Sequence, residues 1–261
     1  MPRVSVIMGI YNCAKYLQEA LDSLYAQTFH DFEIILCEDG SKDDTYEVAQ
    51  KNADEHSNIK LLRNEYNLGL NATLNNCLKF AEGEYIARMD GDDISEPTRF
   101  EKEVKFLDEH PEYAIVSTSM SYFDDEGVFK VGEAIGEPKI EDFIKGTPFC
   151  HAPCMVRKEA YDAVGGYSVS DYLLRVEDYH LWMKMYMKGY RGFRINEPLY
   201  SMRDDRNAVH RRNWKGRRNE VYIKCLIWKN FNLPLYKFVY CFRPIIISIM
   251  PIWLYSFFHK R

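Results

Sequence analysis

The sequence predicts an α/β protein with a mostly parallel central sheet flanked by helices. Two observations predict it. Over the first hundred residues, short apolar runs alternate with stretches whose apolar residues recur at helical spacing, and most runs end in a polar segment containing Gly, Asn or Asp. Strands covered on both faces read as continuous apolar runs, and strand–helix alternation of this kind closes a parallel sheet with right-handed crossovers. The 261 residues are 46% hydrophobic and 28% charged, which excludes a largely disordered, a fibrous or a multi-span membrane chain.

Taken in order, residues 4–8 (VSVIM) form the first buried strand. Residues 14–27 follow as a helix with Leu17, Ala20, Leu21 and Leu24 on one face. Residues 32–37 (FEIILC) are the second strand and 43–55 the second helix, preceded by Ser41 with Asp43 and Asp44 in its first turn, as a helix N-terminus prefers. Residues 58–63 give a third strand, 70–81 a helix and 84–89 (EYIARM) a fourth strand. Beyond Pro97 the pattern loosens: a helix over 98–109, a strand over 113–118, a hairpin over 122–131, a strand over 152–157, and a short helix over 158–164 stopped by Gly165-Gly166. Residues 175–189 begin as a loop and become a helix bearing Leu181, Trp182, Met185 and Tyr186.

Ligands of such sheets bind beyond the carboxyl ends of the strands. That rule selects Gly9-Ile10-Tyr11-Asn12, Glu38-Asp39-Gly40-Ser41 and Asp90-Gly91-Asp92-Asp93, which should converge on one crevice. None of these segments carries a dinucleotide or P-loop glycine pattern, which argues against an oxidoreductase or a P-loop ATPase. Three carboxylates within four residues repel one another unless a cation or strong donors gather there. A strand-end Asp-x-Asp therefore suits a divalent ion shared with a substrate diphosphate, although an acidic turn ahead of a helix has the same composition. Asp39, at the end of a different strand, can accept a hydrogen bond from a ring N–H or cap the next helix.

The seven cysteines are scattered and form no C-x-x-C pair, so free thiols in a reducing compartment are expected; the segment Cys150-His151-x-x-Cys154 is the nearest approach to a metal cluster. No secretory signal is read at the start of the chain. The overall excess of 39 acidic over 34 basic residues, −5, argues against a general nucleic-acid binder. The charge is unevenly spread, since residues 199–261 hold 13 basic and 3 acidic residues. Residues 244–258 are uncharged and aromatic-rich, are interrupted by Pro251, and are too short to span a bilayer; with basic flanks they suit an anionic membrane surface. Packing on the protein body is the alternative.

The ordered segments VSVIMGIYN, EDGS, ARMDGDD and RVEDYHLW resemble family-2 glycosyltransferases of the GT-A, nucleotide-diphospho-sugar transferase fold, over residues 1 to about 205. GTPFCH, GGY and EDYHLW are most similar to the exopolysaccharide and capsule type, including EpsE-like enzymes. The resemblance implies a catalytic domain over residues 1–205 and a basic helical tail over 206–261. It implies that Ile10, Tyr11 and Asn12 line the nucleotide pocket and that Asp39 binds the base, usually uracil. Asp90 and Asp92 would be the Asp-x-Asp pair touching ribose and a metal-bound diphosphate, with Asp93 as a further metal contact. Asp178 would be the catalytic base with Glu177 in reserve, Arg203 would grip phosphate, and His210 would complete the shell of Mn2+ or Mg2+. His151 would lie on the acceptor side or serve structurally. The expected activity is inverting transfer from a UDP-sugar to a lipid-linked or polysaccharide acceptor, in the cytoplasm at the inner face of the cell membrane. The alternative is a transferase-fold protein acting mainly as a binding or regulatory partner through its surface or tail.

Overall fold

The structure, a computed structural model, describes residues 1–133, 135–204 and 214–249. The first half follows the alternation: β1 (Val4–Ile10), α1 (Ala14–Tyr25), β2 (Phe32–Glu38), α2 (Thr45–Glu55), β3 (Ile59–Arg63), α3 (Leu70–Leu78) and β4 (Tyr85–Arg88). The second half adds β5 (Ile94–Ser95), α4 (Arg99–Glu109), the hairpin of β6 (Ile115–Asp124) and β7 (Gly127–Val131), β8 (Met155–Arg157), α5 (Lys158–Val164), α6 (Glu177–Met187) and β9 (Gly192–Arg203). A long helix, α7 (Trp214–Asn230), a 3-10 segment (Leu235–Phe242) and α8 (Arg243–Ile249) complete the described chain.

Among the described residues one nine-stranded sheet runs in the order β3-β2-β1-β4-β8-β6-β9-β5, with β7 paired to β6. The strands β3, β2, β1 and β4 are parallel, β8 opposes both β4 and β6, and β9 lies parallel to β6. Two of these strands go beyond the sequence expectation. The two-residue β5 is too short to leave a pattern. In β9 the run GFRINEPLYSMR is broken by polar residues and by Pro198, and its pairing with β6 shifts register there. Proline cannot donate to a ladder, so it sits where regular pairing is interrupted.

Successive β1 side chains enter opposite cores. Val4, Val6 and Met8 pack with Leu17, Leu21 and Leu24 of α1 and Phe100 of α4, whereas Ile7 packs toward Leu74 of α3 and Leu181 and Trp182 of α6. Trp182 is wholly buried, edge-on to Phe149, as part of this second core. The same core continues across the boundary expected near residue 205: Ile223 and Ile227 of α7, Leu233 and Cys241 belong to it. The buried Lys224 holds α7 down by donating to the carbonyls of Ile144 and Lys145, both at 2.9 Å. Packing on the body, the alternative reading of the tail, thus describes α7, Leu233 and Cys241; of the uncharged run 244–258, residues 250–258 lie outside the described residues.

Candidate active site

The order of the parallel strands reverses at β1, which lies between β2 and β4. The carboxyl ends of these strands therefore open on one crevice, as the sheet geometry requires. After β1 the chain turns sharply at Asn12, which adopts a left-handed φ of 50° that Asn tolerates better than most residues. Its N–H donates to Ser41 Oγ (3.0 Å), and its Oδ1 accepts from Lys42 N–H (2.9 Å). Cys13 and Ala14 N–H groups donate to Thr45 and Asp43. Ser41 thus ties the β2 loop to Asn12 instead of capping α2. Gly40 lets the β2 loop pass close to the β3–α3 loop: at its φ of 70° a Cβ would lie 2.8 Å from the Asn67 nitrogen.

Asp39 is buried at the centre of this arrangement. Its Oδ1 accepts from Asn64 Nδ2 and from the Leu68 N–H, both at 2.8 Å, and its Oδ2 accepts from the Gly69 N–H at 3.0 Å. A carboxylate offers about four lone-pair sites, so a position on Oδ2 is left for a ligand N–H. Ile10 is buried beneath the same loop, its carbonyl accepting from Asp39 N–H, while Tyr11 beside it is 44% exposed.

The acidic turn after β4 divides into three roles. Asp90 is clamped two-pronged by Arg88, a buried guanidinium at the end of β4. Gly91 brings the turn against the β1 loop, since a Cβ there would lie 2.7 Å from Cys13 Sγ. Asp92 opens to solvent, and partial burial together with the Asp90 charge raises its carboxyl above the ordinary value. Asp93, expected as a further metal contact, turns into the sheet instead: it is buried, its Oδ1 accepts from Arg203 N–H (2.8 Å) and its Oδ2 from the Tyr200 hydroxyl (2.9 Å). Burial and its two acidic neighbours push this carboxyl up to about 8. Arg203, expected to grip phosphate, braces this turn. Its Nε donates to the Asp92 carbonyl (3.1 Å), its other nitrogens meet Glu19 and Asp125, and it stacks between the rings of Tyr16 and Phe123.

Beneath the turn lies Arg99, fully buried and paired with the equally buried Glu103 at 3.1 Å. Its Nη2 donates to the carbonyls of Arg88 (3.1 Å), Ala152 (3.3 Å) and Cys154 (3.4 Å), so one side chain fixes the end of β4 to the loop before β8. His151 in that loop is the structural alternative: buried, bonded to the Tyr167 hydroxyl at 2.7 Å, and held neutral by burial and by Arg88. Cys154 bonds the Cys150 carbonyl, and the described residues contain no group of three or more ligating side chains able to hold a metal ion.

Glu177 and Asp178 form the first turn of α6. Burial raises both carboxyls, and Asp178, further pushed by the Glu177 charge, reaches about 7 although Arg88 and a bond from Thr147 Oγ1 (3.3 Å) oppose the shift. The Arg88 charge acts on Asp90, Asp92, Glu177 and Asp178 alike, and Cys150 feels Asp178, Arg88 and Asp90 together. Cys13 feels Asp92 and Asp43, which joins the β1–β2 loops to the acidic turn. The structure thus gathers Ile10, Asn12, Asp39, Asp90, Asp92 and Asp178 at one end of the sheet; His210 lies outside the described residues. Arg88 was not foreseen. A cation inside the otherwise apolar run YIARM is the signal that marks it.

A family model described as Glycosyl transferase family 2 matches residues 5–165. The chain belongs to this family. It is 40% identical to EpsE of Bacillus subtilis (strain 168), classed as a glycosyltransferase, over all of this chain and 94% of that one. It is 32% identical to the UDP-Gal:alpha-D-GlcNAc-diphosphoundecaprenol beta-1,3-galactosyltransferase of Escherichia coli, over 81% of this chain and 78% of that one. Among solved structures, S. aureus TarS residues 1–349 in complex with UDP-GlcNAc superposes with a TM-score of 0.72 at 21% identity, covering 100% of this chain and 76% of that one. The mannosyltransferase PcManGT from Pyrobaculum calidifontis, in complex with GDP-Man and Mn2+, gives 0.65 at 20% identity, covering 98% and 78%. This family-2 glycosyltransferase accordingly has the GT-A fold expected of it, with a helical C-terminal region.

The donor set of this glycosyltransferase fits a divalent ion in a limited way. Asp90 is committed to Arg88 and Asp93 to β9, which leaves Asp92 as the acidic-turn carboxylate open to an ion. Mg2+ and similar ions use one or two carboxylates plus substrate phosphates rather than an all-protein cage, so one open carboxylate suffices if the donor brings the rest.

Proposed function

We propose that the chain is an inverting, metal-dependent glycosyltransferase that moves a sugar from a UDP-sugar to a lipid-linked or polysaccharide acceptor in exopolysaccharide or capsule synthesis. The observation that carries this reading is Asp178, a carboxyl raised to about 7 in the same crevice as Asp90 and Arg88. A base poised near the working pH combines the correct protonation state with driving force for proton transfer. The names of the galactosyltransferase and of the TarS complex support a UDP-sugar donor and a lipid-linked acceptor.

In this mechanism Ile10, Tyr11 and Asn12 line the nucleotide pocket, and the free position on Asp39 Oδ2 accepts the N–H of a uracil ring. Asp90, held rigid by Arg88, receives the ribose. Asp92 would hold Mn2+ or Mg2+ together with the donor diphosphate, and the ion would stabilise the charge developing on the leaving oxygen. Asp178 takes the proton of the acceptor hydroxyl as its oxygen attacks the anomeric carbon from the face opposite the diphosphate. The new C–O bond forms as the old one breaks, and UDP departs with the electron pair. Glu177 keeps a second negative charge beside Asp178, which sustains its basicity.

With purified protein and Mn2+, UDP-sugar hydrolysis in Asp92→Ala is expected to fall at least about 10²-fold, the scale of losing one strong charge-stabilising group. Turnover equal to the unsubstituted protein would refute the role of Asp92.

The reading places the enzyme at the inner face of the membrane. No helix among the described residues is long and apolar enough to cross a bilayer. Its last described segment nevertheless exposes Leu235, Tyr236, Val239, Phe242 and Ile246 beside the exposed Arg243, within a region of 13 basic and 3 acidic residues. Such a face suits aromatics at headgroup depth and cations against anionic lipid. The full chain is expected to float with phosphatidylglycerol-containing vesicles and to dissociate as salt rises. Equal flotation with neutral vesicles, or none, would reject this placement.

A further inference from the structure

Residues 165–176 join α5 to α6 without helix or strand, and Asp178 stands just beyond them. A connection of this length keeps one shape where side chains satisfy its backbone groups. Its first half is bonded to α3. Asn75 donates to the Tyr167 carbonyl and accepts from the Tyr167 N–H, both at 2.8 Å, and Asn71 donates to the Ser168 carbonyl at 2.9 Å. Its second half is bonded to α7 through Asn219, which is wholly buried. Asn219 Nδ2 donates to the carbonyls of Asp171 (2.9 Å) and Leu174 (3.1 Å). The amide is held this way round because its Oδ1 accepts from Arg218 Nη2 (3.0 Å) and Nε (3.2 Å). The Arg218 guanidinium in turn lies over the Tyr172 ring of the same connection, 4.4 Å from its centroid.

The bond to Leu174 falls where the backbone is strained. Arg175 follows it with a φ of 67°, a left-handed conformation that a residue with a side chain keeps only where its surroundings over-determine it. The Leu174–Arg175 peptide is gripped at both ends, its carbonyl by Asn219 and its N–H by the Glu177 carboxyl. That peptide sets the direction in which the chain enters α6, whose first turn carries Asp178. We infer that Asn219 is a positioning residue for the transfer reaction: by fixing the left-handed turn at Arg175 from α7, it aims the Asp178 carboxylate at the acceptor hydroxyl. This rests on the transferase reading of Asp178. It brings α7, which lies beyond the matched segment 5–165 and reads as a tail in the sequence, into the catalytic apparatus.

The test compares Asn219→Ala with the unsubstituted full chain in Mn2+, using a panel of UDP-hexoses and UDP-N-acetylhexosamines, with water standing in for the acceptor hydroxyl. Hydrolysis is expected to fall roughly 10–10²-fold, the scale of a slightly misplaced catalytic group, with UDP affinity unchanged. Asp178 is faced by Glu177, by Arg88 of β4, by Cys150, and by Arg175, Arg217 and Glu220 around a shared cavity. None of these is altered, so water admitted by the loosened turn should move the acid limb of the rate below its place near 7. Arg175→Gly in the Asn219→Ala chain should return part of the lost rate, because glycine holds a positive φ unaided. Hydrogen exchange should quicken at residues 171–176 and stay unchanged in β1 to β4. An unchanged rate and limb in Asn219→Ala, a loss that Arg175→Gly leaves in full, or exchange quickened throughout the sheet with UDP binding lost overturns the positioning role. Absence of UDP binding, or of any donor hydrolysis, in the unsubstituted chain instead overturns the transferase reading on which it stands.

Discussion

Replacing Asp178 by Asn lowers the rate of sugar transfer by about 10²–10⁴-fold, the usual worth of a positioned general base, while donor affinity stays close to that of the unsubstituted protein. The substitution is nearly isosteric, and the amide can still accept from Thr147, so the first turn of α6 is retained. What disappears is the ability to take a proton. The pH profile gives the same prediction a second readout. A base must be deprotonated to act, and burial with the Glu177 charge puts the Asp178 carboxyl at about 7. The rate of transfer therefore rises with pH through the region near 7 and levels above it. In Asp178→Asn that limb vanishes. An unchanged profile in the variant would assign the base elsewhere, with Glu177, also raised by burial, next in line. Lost donor binding would make Asp178 a structural residue.

The largest effect on stability is expected at Glu103, a residue that no substrate meets. Glu103→Ala leaves the Arg99 guanidinium charged, fully buried and unpaired, which costs about 3–5 kcal/mol when one partner of a buried pair is removed. For a chain of this size that lowers the melting temperature by roughly 6–20 °C, measurable by calorimetry. Burial already pushes Glu103 up to about 7 against the pull of Arg99. The pair is therefore retained more for where it holds the backbone than for stability. Arg99 ties together the carbonyls of Arg88, Ala152 and Cys154, the floor under Asp90. Replacing both partners by apolar residues, Arg99→Met with Glu103→Leu, should restore most of the stability but loosen that floor. A single variant as stable as the original chain would show the charge to be dispensable.

How much of this was legible depended on how local the signal was. The strands β1, β2 and β4 announced themselves because they are almost wholly buried and so read as apolar runs, and α1 because its buried residues recur at helical spacing. The hairpin of β6 and β7 was marked by its acidic, glycine-containing turn. By contrast β9, though twelve residues long, carries Pro198 and polar residues and is a strand only because β6 lies beside it. The same limit applied to side chains. Asp90, Asp92 and Asp93 look alike in sequence, and a strand-end rule selects all three. Their division into a clamped, an open and a sheet-bound carboxylate comes from Arg88 two residues earlier and from Tyr200 and Arg203 more than a hundred residues later. Arg203 likewise reads as a phosphate ligand until Glu19, Asp125 and the two aromatic rings are seen around it.

By itself, then, the sequence determined the fold class, the strand ends that carry chemistry and the acids placed there, because periodicity, β-branched runs and strand-end motifs are properties of neighbouring residues. Tertiary structure alone decided which of those acids remain open to a ligand and that α7 packs into the body. The physical reason is that burial and charge act through space. A carboxylate's protonation and availability are set by groups that the chain folds against it, and those lie at separations along the sequence that no local pattern encodes.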